Sequence, residues 1–158
     1  MKGKSAIALS LLTMVFAIFL FSCKKNSGSQ DIQPDYPQFI GTWQGTTSQS
    51  QAISIGIMNL NGLLVVNTYK YDVIRYDSGG SSHRTKHYDV SSSTVVTSVV
   101  KKYFKFTPYD PLGTTDFLTG TFNDTTMILR GQFSSSFPKL SGTGSDIISG
   151  SYTATKVK

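Results

Sequence analysis

A chain of 158 residues with one cysteine, no glutamate and a formal charge of +6 has room for one ordinary domain. The lone cysteine excludes an internal disulfide, so a fold outside the cytoplasm must rest on burial and hydrogen bonding. Every acid is aspartate, which favours turns over helix interiors, and Ser, Thr, Gly, Val, Ile, Tyr and Phe abound after position 23. This composition argues against a helical fold and for an all-β one.

Met1-Lys2-Gly3-Lys4-Ser5 carries two cations and no anion, and an apolar run follows from Ala6 to Phe21. At about 16 residues the run is short of the ~20 that cross a bilayer, so residues 1–22 are expected to be a secretory signal peptide. Its end, Leu20-Phe21-Ser22-Cys23, resembles the lipobox of bacterial lipoproteins: an aliphatic residue, two further positions ending in a small one, then cysteine. The resemblance implies cleavage before Cys23, acyl chains such as palmitate on Cys23, and a lipid-anchored protein of the cell envelope. Lys24 follows the cysteine where an aspartate would hold many lipoproteins at an inner membrane. The expected address is therefore the outer membrane where a cell has two.

In the expected tether of residues 23–37, Cys23 is followed by Lys, Asn, Ser, Gly, Gln, Asp and Pro, with Ile32 as the one aliphatic and Tyr36 as the one aromatic side chain, which predicts flexibility behind the lipidated cysteine. The domain, residues 38–158, then begins with a short turn and a first strand at Gly41-Thr42-Trp43-Gln44-Gly45. Ala52 to Met58 alternates strictly, Ile53, Ile55 and Ile57 sharing one face, and Asn61-Gly62 predicts a hairpin turn into a long strand from Leu63 to Asp77. His83 to Val90 is polar on both faces and belongs at an edge. Val95 to Phe106 reads as one strand with Val100, Phe104 and Phe106 facing in. A proline-rich connection over 107–113 leads to strands at Thr115–Phe122 and Thr126–Phe133, joined at Asn123-Asp124. A Ser/Gly-rich loop over 134–145 precedes a last strand from Asp146 to Val157.

These make about eight antiparallel strands in sequential order, an up-and-down barrel, with a two-sheet β-sandwich as the alternative. Gly41-Thr42-Trp43, placed after a short turn at the first strand, resembles the opening of lipocalin-like, calycin-type barrels. The later Gly120-Thr121-Phe122, Gly131-Gln132-Phe133 and Gly150-Ser151-Tyr152 are similar to the small-large pairs of such barrels. Thr115-Asp116-Phe117 echoes a lipocalin Thr-Asp-Tyr motif. The resemblance implies that Gly41 and Trp43 close one barrel end and that Arg130 packs across the tryptophan there. No segment corresponds to the helix that packs outside a true lipocalin barrel.

No catalytic arrangement stands out. No Gly-x-Ser-x-Gly elbow, phosphate-cradling glycine loop or dinucleotide fingerprint occurs, so the chain is not expected to be an enzyme or to carry a cofactor. His83 and His87 on one strand face would sit ~13 Å apart at ~3.3 Å per residue, too far to share an ion, and no metal site is expected. The positive excess is modest and spread out, which excludes a nucleic-acid partner. A barrel interior remains, with Trp43, Ile55, Tyr69, Tyr71, Phe104, Phe117, Phe122, Phe133 and Tyr152 as expected lining residues. The expected function is a monomeric, lipid-anchored barrel that meets the membrane through Cys23 and binds a small apolar or amphipathic ligand. The alternative is a non-enzymatic interaction module with a filled barrel, binding an envelope protein or glycan through its loops.

Overall fold

The computed structural model describes residues 35–77, 83–91, 95–108, 116–139 and 142–158. The chain divides into Met1–Gln30 and Asp31–Lys158. The expected signal peptide, Cys23 and the expected tether up to residue 34 lie outside the described residues, as do residues 78–82 and most of the expected proline-rich connection.

The second unit is all-β. A short 3-10 turn at Pro37–Phe39 leads into β1 (Gly41–Thr47), β2 (Ala52–Leu60), β3 (Leu63–Tyr76), β4 (His83–Val90), β5 (Thr97–Ser98), β6 (Tyr103–Phe106), β7 (Phe117–Asn123), β8 (Ile128–Pro138) and β9 (Ser145–Lys156). They form one antiparallel sheet in the order β4-β3-β2-β1-β9-β8-β7-β6, with β5 added on the first half of β3. The single sheet curls into a half-barrel of up-and-down connections, the lipocalin-like architecture rather than the paired sheets of a sandwich. First and last strands adjoin, Trp43 opposite Lys156 and Thr47 opposite Tyr152. The backbones come so close there that a Cβ on Gly45 would lie 1.9 Å from the Thr153 carbonyl oxygen. Only glycine fits at that crossing.

Period-2 alternation selects what faces inward. Ile53, Ile55 and Ile57 are all buried, as their spacing predicts. In β3 the register against β2 shifts where Asn67 is skipped between Val66 and Thr68. That bulge lets Leu64 and Val66 on one side, and Tyr69, Tyr71, Val73 and Arg75 on the other, all be buried despite the break in parity. The polar strand β4 lies at a sheet edge, where its two-sided polarity fits.

Two expectations are corrected. The segment from Val95 to Phe106 is two short strands joined by a tight turn, because Lys101 and Lys102 take φ angles of 48° and 69° and reverse the chain. Val100 is consequently 63 % exposed instead of facing in. The Ser-rich stretch after Phe133 is strand, not loop: β8 runs on to Pro138 against the first half of β9, and Ser134, Ser135 and Ser136 are buried. Hydroxyl-rich residues read as loop when their partners are unknown; here those partners come from Asp116 and Tyr88, far away in sequence.

Candidate functional site

The interior is the first candidate. Trp43, Ile55, Tyr69, Tyr71, Phe104, Phe122, Phe133 and Tyr152 are all buried, within one core that spans the half-barrel. Their rings pack on one another in an unbroken series. Phe39 stacks on Phe122 at 4.6 Å, Trp43 meets Phe122 edge-on at 5.0 Å, and Phe104 lies 6.0 Å from Phe122. The series continues from Phe104 to Phe106 at 6.1 Å, from Phe106 to Tyr69 at 4.8 Å, from Tyr69 to Tyr71 at 6.2 Å, and from Tyr71 to Tyr88 at 4.7 Å. Centroid spacings in this range are those of aromatic pairs in direct contact. The small-large pairing helps fill the space: the Tyr152 ring covers Gly131, where a Cβ would come within 2.5 Å of it.

Two expected site residues lie elsewhere. Phe117 has the opposite parity from buried Leu118, Gly120 and Phe122, so it sits half-buried on the outer face with Lys105 Nζ 5.3 Å from its ring centre. Arg130 is exposed next to buried Leu129 and pairs across the sheet with Thr121 and Thr153. It points outward, away from Trp43. The tryptophan is held instead by the 3-10 turn: its Nε1–H donates to the Phe39 carbonyl at 2.9 Å. Gly41, at φ 129°, begins β1 beside this clasp, under the Lys156 side chain.

At the opposite end of the interior sits a polar cluster that pattern reading misses. Asp116, 1 % exposed, accepts the backbone N–H of Ser136 at 2.7 Å on Oδ1. Its Oδ2 accepts from the Tyr88 hydroxyl and lies 3.2 Å from Lys86 Nζ and 3.4 Å from Ser135 Oγ. Tyr88 and Ser135 are also hydrogen-bonded to each other at 2.5 Å. Buried Arg75 donates from Nη1 to the Pro138 carbonyl at 2.8 Å and to Asp146 Oδ2 at 3.0 Å. The Phe137 ring lies between the two cations, 6.0 Å from the Arg75 guanidinium and 5.3 Å from Lys86 Nζ. Lys86 and Tyr88 belong to edge strand β4, whereas Asp116 leads into β7, so the cluster joins the half-barrel where no backbone ladder links these strands. Two sequence signals point here. Arg75 shares the apolar face of Tyr71 and Val73, and Ser135 alternates with Phe133 and Phe137.

Beside this cluster the Tyr71 hydroxyl is buried without a hydrogen-bond partner. Burial raises the Tyr71 pKa well above its ordinary 10.0, with further contributions from Tyr88, Tyr69 and Asp116. Burial likewise raises that of Tyr152, whose hydroxyl donates to the Thr119 carbonyl at 2.7 Å. Both folded values lie above the unfolded one, so the stability linked to these protons is whole below pH ~10. It falls as pH rises further, by ~1.4 kcal/mol per pH unit for each tyrosine. In a spectrophotometric tyrosinate titration, Tyr71 and Tyr152 are expected to stay silent until alkaline unfolding. Smooth titration of all 8 tyrosines in the folded protein would contradict this.

The outer face carries two grooves lined by described residues. One, of about 390 Å³, is lined by Gln44, Gln51, Ser54, Lys70 and Asp72 together with the apolar Ala52, Ile53 and Tyr71, on β1–β3 and the turn between β1 and β2. The other, of about 300 Å³, lies among Phe117, Gln132, Ser149 and Ser151. Near the first, His87 Nδ1 is 2.8 Å from Asp72 Oδ1 and Lys70 pairs with Asp89 at 3.1 Å. The side chain of His83 lies outside the described residues. Among the described residues no three His, Cys, Asp or Glu side chains converge as metal ligands. The chain matches no model of a known protein family and no curated protein.

Proposed function

We propose that this protein is a lipid-anchored module of the cell envelope that acts without catalysis, its barrel a solid scaffold and its outer surface the part that binds. The observation that carries this reading is the aromatic core, in which ring packs on ring among the described residues. An apolar ligand would have to displace side chains already in contact from Phe39 through Phe122, Phe104 and Tyr69 to Tyr71. The outer groove of Gln44, Gln51, Ser54, Lys70 and Asp72 offers amides, a hydroxyl and charges of both signs, the groups that hold a glycan or a polar protein surface. Anchoring rests on the lipobox-like Leu20-Phe21-Ser22-Cys23. Acyl chains there would hold the protein stably, since each buried methylene contributes ~0.8 kcal/mol.

A second reading, a small apolar or amphipathic ligand inside the barrel, draws on one observation. The unpartnered Tyr71 hydroxyl could donate to a bound polar atom. Fluorescence of Trp43, the one tryptophan, separates the two. Titration with fatty acids is expected to leave it unchanged; saturable quenching would favour the internal ligand. For the anchor, Cys23→Ser should abolish incorporation of labelled palmitate. Continued acylation of that variant would overturn the localisation.

A further inference from the structure

Five of the eight large apolar side chains exposed among the described residues, Leu60, Leu63, Val100, Tyr103 and Val157, lie at one end of the half-barrel. Leu60 and Leu63 face each other across the tip of the β2–β3 hairpin. The pairing of Val65 with Ser98, and the hydrogen bond from Val99 N to the Leu64 carbonyl at 2.8 Å, bring Val100 alongside Leu63. Val100 in turn exchanges two backbone hydrogen bonds with Tyr103, at 2.8 and 2.9 Å. The result is a row, Leu60-Leu63-Val100-Tyr103, with Leu63 at 62 % and Val100 at 63 % exposure. Val157 is exposed at the same end, held there by its bond to Thr42 O.

The turn inside this row is unusual in its residues. Two-residue hairpin turns with two positive φ angles are ordinarily made by Asn and Gly. Here Lys101 and Lys102 occupy both positions at φ 48° and 69°. These φ angles are costly for side chains with a Cβ, and the turn sets both lysines next to the apolar row. Lys102 Nζ pairs with Asp124 at 2.7 Å and lies 5.2 Å above the Tyr36 ring. Lys156, bonded from Nζ to Gln38 O at 3.0 Å, and Lys158 add to the cations here, against Asp35 and Asp124.

Tyr36 also marks where the described chain enters the domain, through the Pro37–Phe39 turn at this end. Between Cys23 and that point lie residues 24–34, a span of at most ~3.3–3.6 Å per residue. The anchor, on the reading proposed above, is therefore attached to the end that carries the apolar row and the lysines.

We propose that this end is a bilayer-docking face: Leu60, Leu63, Val100 and Tyr103 enter the interfacial region of an anionic membrane while Lys101 and Lys102 meet its headgroups. Apolar side chains rimmed by cations are the composition that binds such an interface. Docking would fix the orientation of the domain and hold its opposite end, with Tyr76 and Ile147, toward solvent.

The test uses the full mature protein, whose acylation is first read by mass. Val100→Cys and, separately, Ile147→Cys each receive a nitroxide label, and accessibility to oxygen and to a water-soluble nickel chelate is compared. Vesicles contain phosphatidylglycerol or phosphatidylcholine alone. With phosphatidylglycerol, the oxygen-to-nickel ratio at Val100 is expected to rise several-fold while that at Ile147 stays at its aqueous value. Lys101→Asn combined with Lys102→Gly, which suits the turn and preserves the fold, should remove most of that rise. Acylated protein with both labels in water keeps the anchor and overturns the docking face, as does burial of the Ile147 label. Unacylated protein that sediments with phosphatidylglycerol vesicles, and no longer does so with the paired turn substitution, keeps the docking face and overturns the anchor.

Discussion

Replacing Asp116 with alanine is expected to destabilise the protein by about 3–5 kcal/mol, the range for removing one partner of a buried ion pair. The carboxylate is fully covered and accepts from Ser136 N, Tyr88 and Lys86. Its loss would leave the Tyr88 hydroxyl with Ser135 and strip the Ser136 N–H of its acceptor in a dry setting. Asp116→Asn keeps the shape and one good acceptor, so it should cost less, about 1–3 kcal/mol. Denaturation by guanidinium, followed by Trp43 fluorescence, measures both. Because the cluster spans from β4 to the start of β7, hydrogen exchange in Asp116→Ala should rise first at Tyr88 and Leu118. A loss below 1 kcal/mol, or exchange that rises uniformly, would mean the cluster does not hold the half-barrel together.

Trp43→Ala should be comparably damaging, about 3–5 kcal/mol, for a different reason. The indole is wholly buried, edge-on to Phe122 and Phe39, and its N–H secures the Phe39 carbonyl. Truncation leaves a cavity beneath the 3-10 turn and frees the entry of the chain from the barrel end. Trp43→Phe separates the two contributions: it retains most of the ring and orphans the carbonyl, for about 1–3 kcal/mol. Thermal unfolding followed by circular dichroism reads both variants. Equal losses for alanine and phenylalanine would show that the hydrogen bond, rather than packing, holds this end.

The all-β architecture was legible because it follows from local rules. Ile53, Ile55 and Ile57 announce their face by alternation, Asn61-Gly62 announces its turn, and the two-sided polarity of β4 announces an edge. Side-chain direction was legible only where one parity runs through a strand. Phe117 reads as a lining residue by its aromatic character, although Leu118 and Phe122 set the other parity. Where a turn has atypical residues, as at Lys101-Lys102, no local pattern foretells the reversal. The polar cluster was hidden for a more general reason. A buried aspartate is defined by partners 20 to 30 residues away, Ser136 and Lys86 among them, and spacing does not encode that convergence. The run Ser134-Ser135-Ser136 looked like loop for the same reason.

Binding belongs to the outer surface only if the barrel interior is occupied by the protein's own side chains. Native mass spectrometry of the protein purified from the cells that make it tests this most directly. The expected mass is that of the chain with any covalent acyl groups on Cys23, and with no further molecule retained at low collision energy. A stoichiometric, non-covalent apolar adduct that shields Trp43 and Tyr71 would contradict it.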